Sequence, residues 1–362
     1  MTNVGGCAAD ELGMIDLLIQ DLDAGIFQQA QKRLSFPSTV RELRSVQLYF
    51  VSLLGSAAGY RLFLRFGHLI MTIYHNVYPY DASIAAAVLF TILFFVSSIV
   101  HLYQLLRTRT WYLLPFLIGG IFEGIGYTFR TVSIKQSPDY TLPPYAIQLI
   151  LPLIVPALLS ATMYMSLGRI ILVTQAEAVA PIRRTWLTKL FVTGDVLSFL
   201  AQALGGAILA QQKASSYNTG RWIIIVGLVI QVLFFGLFLI TSVIFHVRLN
   251  KMPTLASQKF AWKRHLSALY TGSALILVRS IYRLIEYLED AGGYLITHEA
   301  FAYVFDALLM FAVMIVFFWV HPSEIQALIR GKGKAIKHGF KVVHLNVTDD
   351  EVVFLSDMAQ AK

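Results

Sequence analysis

Charged residues are scarce in this chain of 362 residues, in which Asp, Glu, Lys and Arg together make up 14% and apolar residues 57%. Soluble domains average about 25% charged and roughly 45–50% apolar residues. A large soluble enzyme needs more charge than this to cover its surface. The composition therefore argues against a soluble α/β enzyme and is typical of a protein that faces lipid.

Cysteine is almost absent, since Cys7 is the only one. This excludes an intramolecular disulfide framework and a thiolate metal cluster. There is no GxxxxGK[ST] sequence, so the chain binds no ATP through a P-loop, and there is no GxSxG nucleophile elbow. Asp10, Glu11 and Asp16 interrupt the N-terminal region, which does not have the apolar core of a signal peptide.

The histidines do not follow a metal-binding pattern. A zinc hydrolase needs three ligands around one ion, whereas His298 and His321 lie at opposite ends of one predicted helix, about 35 Å apart by helical rise. His101 and His246 lie near the same membrane face and are candidates for axial haem ligands, although isolated histidines are more often structural. We therefore predict no metal, no cofactor, no catalytic residues and no enzymatic activity.

Long apolar runs, in contrast, are abundant. A membrane-spanning helix needs about 20 mainly apolar residues, and seven stretches meet this requirement. They are 83–105, 111–133, 145–173, 187–210, 221–246, 265–287 and 299–320. Short connections make successive helices antiparallel, so we predict an all-α integral membrane protein with a seven-helix bundle at residues 81–321.

Basic residues are distributed unevenly between the predicted connections. Fifteen follow the odd-numbered spans, namely Arg107, Arg109, Arg183, Arg184, Lys189, Arg248, Lys251, Lys259, Lys263, Arg264, Arg330, Lys332, Lys334, Lys337 and Lys341. Only three follow the even-numbered spans, namely Lys135, Lys213 and Arg221. Because basic connections stay in the cytoplasm, we predict an external N-terminus and a cytoplasmic C-terminus.

The two ends of the chain differ from the bundle. Residues 1–80 form an N-terminal extension, predicted to be partly disordered, in which 46–74 is an amphipathic interfacial helix or, alternatively, an eighth span. Residues 322–362 form a basic cytoplasmic tail, in which Ser323–Ile336 is predicted to be a helix on the anionic lipids of the inner leaflet. The net charge of +8 therefore indicates a membrane surface and not nucleic acid.

Small residues and prolines recur within the spans. Gly120 and Gly124 form a GxxxG sequence in the second span, and Ala201 and Gly205 a similar pair in the fourth. We interpret both as sites of close helix packing. A proline pair at 152 and 156 predicts a kink in the third span.

Polar residues inside the spans carry the functional information, because charge in the bilayer is costly and normally faces the bundle interior. Three polar stripes follow the helical repeat: Asp195, Ser198 and Gln202 on span four, Arg279, Arg283 and Glu286 on span six, and Glu299, Tyr303 and Asp306 on span seven. Together with Glu123 in span two, they predict a polar substrate cavity in the outer half of the bilayer. There Glu286 and Glu299 would attract a cationic head group, and Arg279 would pair with Asp306 or with Glu123. The alternative is a set of structural ion pairs.

Long ordered blocks of the sequence carry a resemblance to one family. They are YPYDASIAAAVLF at 78–90, FEGIGYTFR at 122–130, PALLSATMYMSLGRII at 156–171, FVTGDVLSFLAQALGG at 191–206, GLVIQVLFFGLF at 227–238, LILVRSIYRLIEYLEDAGGYLITHEAFAYVFD at 275–306 and HPSE at 321–324. These blocks cover all seven spans. They resemble the fungal resistance-to-aminocholesterol-like family, also called the lipid-translocating exporter family, from which residues 1–80 depart.

The resemblance implies a transport function. It predicts ATP-independent translocation or export of amphipathic lipids, either sphingoid-base-like or sterol-like, or of lipophilic toxins. The expected partners are membrane lipids and an amphipathic small molecule, and the expected location is the plasma membrane, with an endomembrane as the alternative. Two other functions stay open: a seven-helix receptor or lipid sensor, and an accessory membrane protein of a secondary-metabolite biosynthetic cluster.

Overall fold

The computed structural model describes residues 73–75, 78, 80–136, 139–209, 214–289, 293–330, 332–337 and 339–346. Within these residues, seven helices are long and apolar enough to cross a membrane. They are α1 (Ile84–Thr108), α2 (Leu114–Ile134), α3 (Leu142–Val173), α4 (Arg184–Leu209), α5 (Ala214–Lys251), α6 (Trp262–Leu288) and α7 (Glu299–Trp319). The predicted seven-helix membrane bundle is confirmed.

Local sequence explains where several helices begin and end. Ser83 caps α1, because its hydroxyl accepts a hydrogen bond from the N–H of Ala86 at 3.3 Å. Arg109 ends α1 in the left-handed conformation with φ of 54°. Prolines occupy the first turns of α2 and α3, where a missing N–H costs no helical hydrogen bond.

Close helix packing occurs at the small residues, as predicted. A Cβ atom added to Gly205 on α4 would lie 2.6 Å from the carbonyl oxygen of Gly220 on α5. In the second span, Gly124 packs against the ring of Phe95 and Gly120 against Met314. The glycines therefore allow backbones or large side chains to approach where any other residue would collide.

The described chain also contains two short helices, Leu255–Lys259 and Tyr294–Thr297, and two short antiparallel strand pairs. Strand β1 (Ile73–His75) pairs with β2 (Asp139–Thr141) at the end of the bundle where α1 and α3 begin. The last two residues of the predicted helix at 46–74 thus belong to a strand, and the rest of that segment lies outside the described residues.

The C-terminal segment forms a helix and a hairpin at the opposite end of the bundle. Helix α8 (Ser323–Ile329) is followed by strands β3 (Lys332–Lys337) and β4 (Lys341–Asn346). The predicted helix over Ser323–Ile336 is therefore wrong beyond Ile329. Glycines weaken the helix here, and the buried Ala335 and Ile336 give the strand an apolar contact instead.

Hydrogen bonds join the C-terminal segment to earlier parts of the chain and to itself. The amide of Gln104 on α1 donates to the carbonyl of Gly339 at 2.8 Å, and the hydroxyl of Tyr112 donates to the carbonyl of Pro322 at 3.0 Å. The hydroxyl of Ser323 accepts the N–H of Ile336 at 2.9 Å. We call this end of the bundle the hairpin end, and the opposite one the cavity end.

Candidate functional site

A cavity of about 200 Å³ opens at the cavity end, where α1, α3 and α7 begin and α2 and α6 finish. Its polar and aromatic lining consists of Tyr78, Tyr80, Tyr127, Arg130, Tyr145, Gln148, Arg283, Glu286, Tyr303 and Asp306. Pockets for drug-sized ligands are roughly 300–1,000 Å³, so this cavity is large enough for a polar head group and too small for a whole lipid.

Asp306 lies at the centre of a buried ion-pair cluster. Its Oδ1 atom lies 2.5 Å from Nε of Arg279, and its Oδ2 atom contacts a guanidinium nitrogen of Arg283. The i, i+4 spacing of the two arginines places both on one face of α6. Of the two partners predicted for Arg279, Asp306 and Glu123, the structure has Asp306.

Arg279 also joins α6 to the proline region of α3. Its Nη2 atom donates to the carbonyl of Pro152 at 2.8 Å. In a regular helix this carbonyl would accept the N–H of residue 156, but Pro156 has none. Arg279 therefore supplies a hydrogen bond that the helix itself has lost, a link that the sequence analysis did not predict.

The backbone of α7 is irregular at Asp306. Tyr303–Ala307 form a π-helical turn between the α-helical Glu299–Ala302 and Leu308–Trp319. π-Helical turns inside α-helices occur frequently at functional sites. Asp306 thus owes its position to a local widening of the helix.

Glu286 is the other carboxylate that lines the cavity. Its Oε2 atom lies 2.9 Å from Nη1 of Arg283. Arg283 therefore bridges Glu286 and Asp306 and lies between the two acidic groups. Among the described residues, Glu286 has no second arginine within ion-pair distance.

Glu299 is held at the edge of the cavity and does not line it. It forms an ion pair of 2.8 Å with Arg130 and accepts the backbone N–H of Ser83 at 2.7 Å. The prediction that Glu286 and Glu299 act as a carboxylate pair is corrected here, because each is paired with its own arginine. Arg130, which also donates to the hydroxyls of Tyr80 and Tyr303, was missed as a site residue.

Tyr303 was predicted and lines the cavity. The other lining tyrosines and Gln148 were missed by sequence reasoning, since a single tyrosine near a membrane surface is common. Gln148 donates to the hydroxyl of Tyr78 at 2.5 Å, and that hydroxyl donates to Ser133 at 3.1 Å. Burial raises the pKa of Tyr78 above its ordinary value. The Tyr78 hydroxyl is therefore a neutral hydrogen-bonding group at physiological pH.

Glu123 lies deeper, on α2, and is almost fully buried. It interacts electrostatically with Asp306, Arg279 and Arg283. Its Oε1 atom has no hydrogen-bond partner among the described residues. Glu123 therefore belongs electrostatically to the arginine cluster, although it does not line the cavity.

The stripe on span four belongs to two separate groups of buried hydrogen bonds. One joins α4 to α3 through Asp195, and the other joins α4 to α5 through Ser198 and Gln202. Asp195 accepts hydrogen bonds from Ser160 and from Tyr164, the latter at 2.9 Å. Gln202 donates to Ser198 at 2.8 Å and to Gln231 at 3.0 Å, and Ser198 donates to the carbonyl of Gly227. The sequence predicted one cavity, whereas Asp195, Ser198 and Gln202 lie apart from it.

The histidines each have their own neighbours. His101 is within 3.1 Å of the Met314 carbonyl, whereas the ring of His246 packs against Trp262 and Tyr270. Burial, with a smaller contribution from nearby histidines, lowers the pKa of His321 to about 3. Across the described residues no group of three His, Cys, Asp or Glu is placed to hold a metal ion.

Comparisons with known proteins agree with this architecture. Residues 116–328 match the family described as RTA1 like protein. Protein RTA1 of Saccharomyces cerevisiae is 34% identical over 288 residues, which cover 70% of this chain and 89% of the relative.

Two further relatives from Saccharomyces cerevisiae have names that state a transported molecule. Protoporphyrin uptake protein 1 is 41% identical over 207 residues, 56% of this chain and 66% of its own length. Sphingoid long-chain base transporter RSB1 is 27% identical over 260 residues, 62% of this chain and 67% of its own length. No solved structure matches the chain. The family match and the extent of the similarity to protein RTA1 show that this chain is a multi-pass membrane protein of the fungal RTA1-like family.

Proposed function

We propose that this protein translocates amphipathic lipids across the membrane without hydrolysing ATP itself. The cavity holds the polar head group while the acyl or ring portion stays in the bilayer. The observation that carries the proposal is a cavity of head-group size, with a charged and aromatic lining, in a bundle with apolar outer faces. Only the head group of an amphiphile meets the dielectric barrier of the bilayer, so a site of this size is sufficient.

The lining of the cavity offers an acidic partner to a cationic head group. Two arginines and two acids line it, namely Arg130, Arg283, Glu286 and Asp306. Both arginines are occupied, because Arg130 is paired with Glu299 and Arg283 with both Glu286 and Asp306. Glu286 is held by Arg283 alone, so an ammonium group can pair with it. A sphingoid base is a lipid with such a head group.

The names of two relatives support the same class of activity. One is named a sphingoid long-chain base transporter and another a protoporphyrin uptake protein. Both names state the movement of an amphipathic molecule. With the basic connections in the cytoplasm, the cavity end faces the outside, which suits the export or the outer-leaflet release of such a lipid.

Lipid flux in liposomes that contain only the purified protein tests the proposal. We expect sphingosine to move between leaflets faster than in protein-free liposomes. Ala302→Phe, which fills the cavity, is expected to slow this movement about tenfold, the effect of about 1.4 kcal/mol of lost affinity. Ala300→Phe is the matched control, because Ala300 is exposed on the same helix and does not line the cavity.

Three outcomes would contradict the proposal. No sphingosine movement above the protein-free rate would reject translocation. Binding without movement would favour the receptor or sensor alternative. A chemically changed lipid would indicate an enzyme.

A further inference from the structure

We propose that Glu286 determines the specificity of the cavity for amines: the ammonium group of the lipid takes Glu286 as its partner, and Arg283 stays with Asp306. The inference rests on the proposed function and adds which carboxylate binds the ammonium group of the lipid. It follows from the unequal arrangement of the ion pairs, which leaves one acidic group free to exchange its partner.

Asp306 is too strongly held to be that group. Its carboxylate is paired with both Arg279 and Arg283, and its side chain is 4% exposed. Releasing it would leave two guanidinium groups buried without their shared counter-ion, which is strongly unfavourable in the membrane interior. Asp306 therefore acts as the fixed anchor of Arg283.

Glu286 has the opposite properties. It lines the cavity, its side chain is 18% exposed, and its ion pair is with Arg283 alone. The hydroxyl of Tyr282 approaches it only at 3.5 Å, which is too long for a strong hydrogen bond. An arriving ammonium group can therefore replace Arg283 on Glu286 at low cost.

The remaining carboxylates are unavailable. Glu299 is held by Arg130 and by the N–H of Ser83, and it does not line the cavity. Glu123 is buried below the cavity and does not line it either. Glu286 is therefore the carboxylate with which a cation in the cavity can form an ion pair.

Both arginines keep an acidic partner after the exchange. Glu286 then pairs with the lipid, and Arg279 and Arg283 remain paired with Asp306. Neither arginine is left without a counter-ion, which is the condition for exchanging an ion pair inside a membrane protein.

A second polar group in the cavity suits the same ligand. The Oε1 atom of Gln148 is buried and has no hydrogen-bond partner among the described residues. Its Nε2 atom is already committed to Tyr78, so the free atom is an acceptor. An ammonium group carries three N–H donors, of which one can bond to Glu286 and another to Gln148.

The experiment measures the movement of two probes in liposomes with purified protein. Sphingosine carries an ammonium group, whereas N-acetylsphingosine has the same chain and a neutral head group. We expect Glu286→Gln to slow sphingosine at least about tenfold and to leave the rate of N-acetylsphingosine equal to that of the wild type. Glu286→Asp keeps the carboxylate and is expected to recover part of the sphingosine movement.

Glu177→Gln is the matched control. Glu177 pairs with Arg184 at the hairpin end, so the same chemical change there is expected to leave both rates unaltered. Equal thermal stability of the variants in detergent shows that each is folded. If Glu286→Gln is unstable, competition in the wild type provides the test: octadecylamine is expected to inhibit sphingosine movement, and N-acetylsphingosine at equal concentration is not.

The results separate this inference from the proposed function. Sphingosine movement by the wild type with an undiminished rate in Glu286→Gln overturns the role of Glu286 and leaves translocation standing. An equal decrease in the rates of both probes in Glu286→Gln also overturns the role of Glu286 in recognising the ammonium group. Equal inhibition by octadecylamine and N-acetylsphingosine does the same. Absence of sphingosine movement in the wild type rejects the proposed function, and this inference with it.

Discussion

Arg279 is the largest side chain that is fully buried in the described part of the chain, with 1% exposure. It connects three helices, because it belongs to α6, pairs with Asp306 on α7 and donates to Pro152 on α3. A guanidinium group in the bilayer interior is costly unless it is paired with an acid or with backbone carbonyls. Arg279 is therefore stable only as part of this arrangement.

This arrangement predicts that Arg279 and Asp306 are energetically coupled. Arg279→Leu and Asp306→Leu are each expected to lower the free energy of unfolding by about 3–5 kcal/mol, because each leaves a buried charge without its partner. The double variant should lose less than the sum of the two. Chemical denaturation in detergent measures all three, and strict additivity would contradict the coupling.

Val278→Leu is the control for this cycle. Val278 is the preceding residue on α6 and is exposed on the lipid side. A change between two apolar residues at an exposed position is expected to alter stability by no more than about 0.5 kcal/mol.

At the scale of the helices, the contact between α4 and α5 depends on the absence of side chains. Gly205 and Gly220 face each other with their backbones nearly in contact. About two turns further along the pair, a Cβ atom on Gly227 would lie 2.9 Å from the carbonyl oxygen of Ser198. The two helices therefore share a narrow glycine-lined interface.

Gly205→Ala is expected to destabilise the protein by about 1–3 kcal/mol, the range for overpacking a tight contact. The reason is that the obstructing atom belongs to the backbone of Gly220 and cannot rotate away. Thermal unfolding in detergent measures the change. Gly206→Ala is the matched control, since nothing lies within 4 Å of its added Cβ atom, and equal destabilisation by both would show that the interface is not the cause.

The seven spans could be predicted from the sequence because each is a long apolar run, and lipid imposes that composition on a helix. The hairpin could not. The segment after Ile329 is short and basic, and its strands form because Ala335 and Ile336 become buried and Ser323 accepts a backbone N–H. Those contacts come from residues that are distant along the chain or on another element.

The candidate site was predicted in part. Helical spacing correctly placed Arg279 and Arg283 on one face, because that geometry is local. It could not tell which helices surround each face, so Asp195 was assigned to the cavity although it is bonded to Tyr164 on α3. Arg130 was missed for the same reason, since its partner Glu299 belongs to a different helix.

At the scale of the whole molecule, the two ends of the bundle differ in chemistry. The cavity end holds the tyrosines and the cluster of acids and arginines, whereas the basic connections lie at the hairpin end. Such asymmetry orients a membrane protein, because the translocation of basic connections is disfavoured.

We therefore expect a protease-sensitive tag fused after Lys362 to be protected from protease added to intact cells. The same tag should be cleaved after the membrane is permeabilised. Fifteen basic residues on that side against three on the other give the physical reason. Cleavage of the tag in intact cells would reverse the orientation and place the cavity end in the cytoplasm.

The hydrogen bonds that Gln104 and Tyr112 donate to the C-terminal segment also have a consequence for biosynthesis. Gln104 and Tyr112 receive their partners 235 and 210 residues later in the chain. At about 5–20 residues per second of synthesis, the acceptors of these two side chains are synthesised roughly 10–50 s after the side chains themselves. A chain that is truncated directly after the seventh span thus contains all seven spans, but Gln104 and Tyr112 lack these hydrogen bonds.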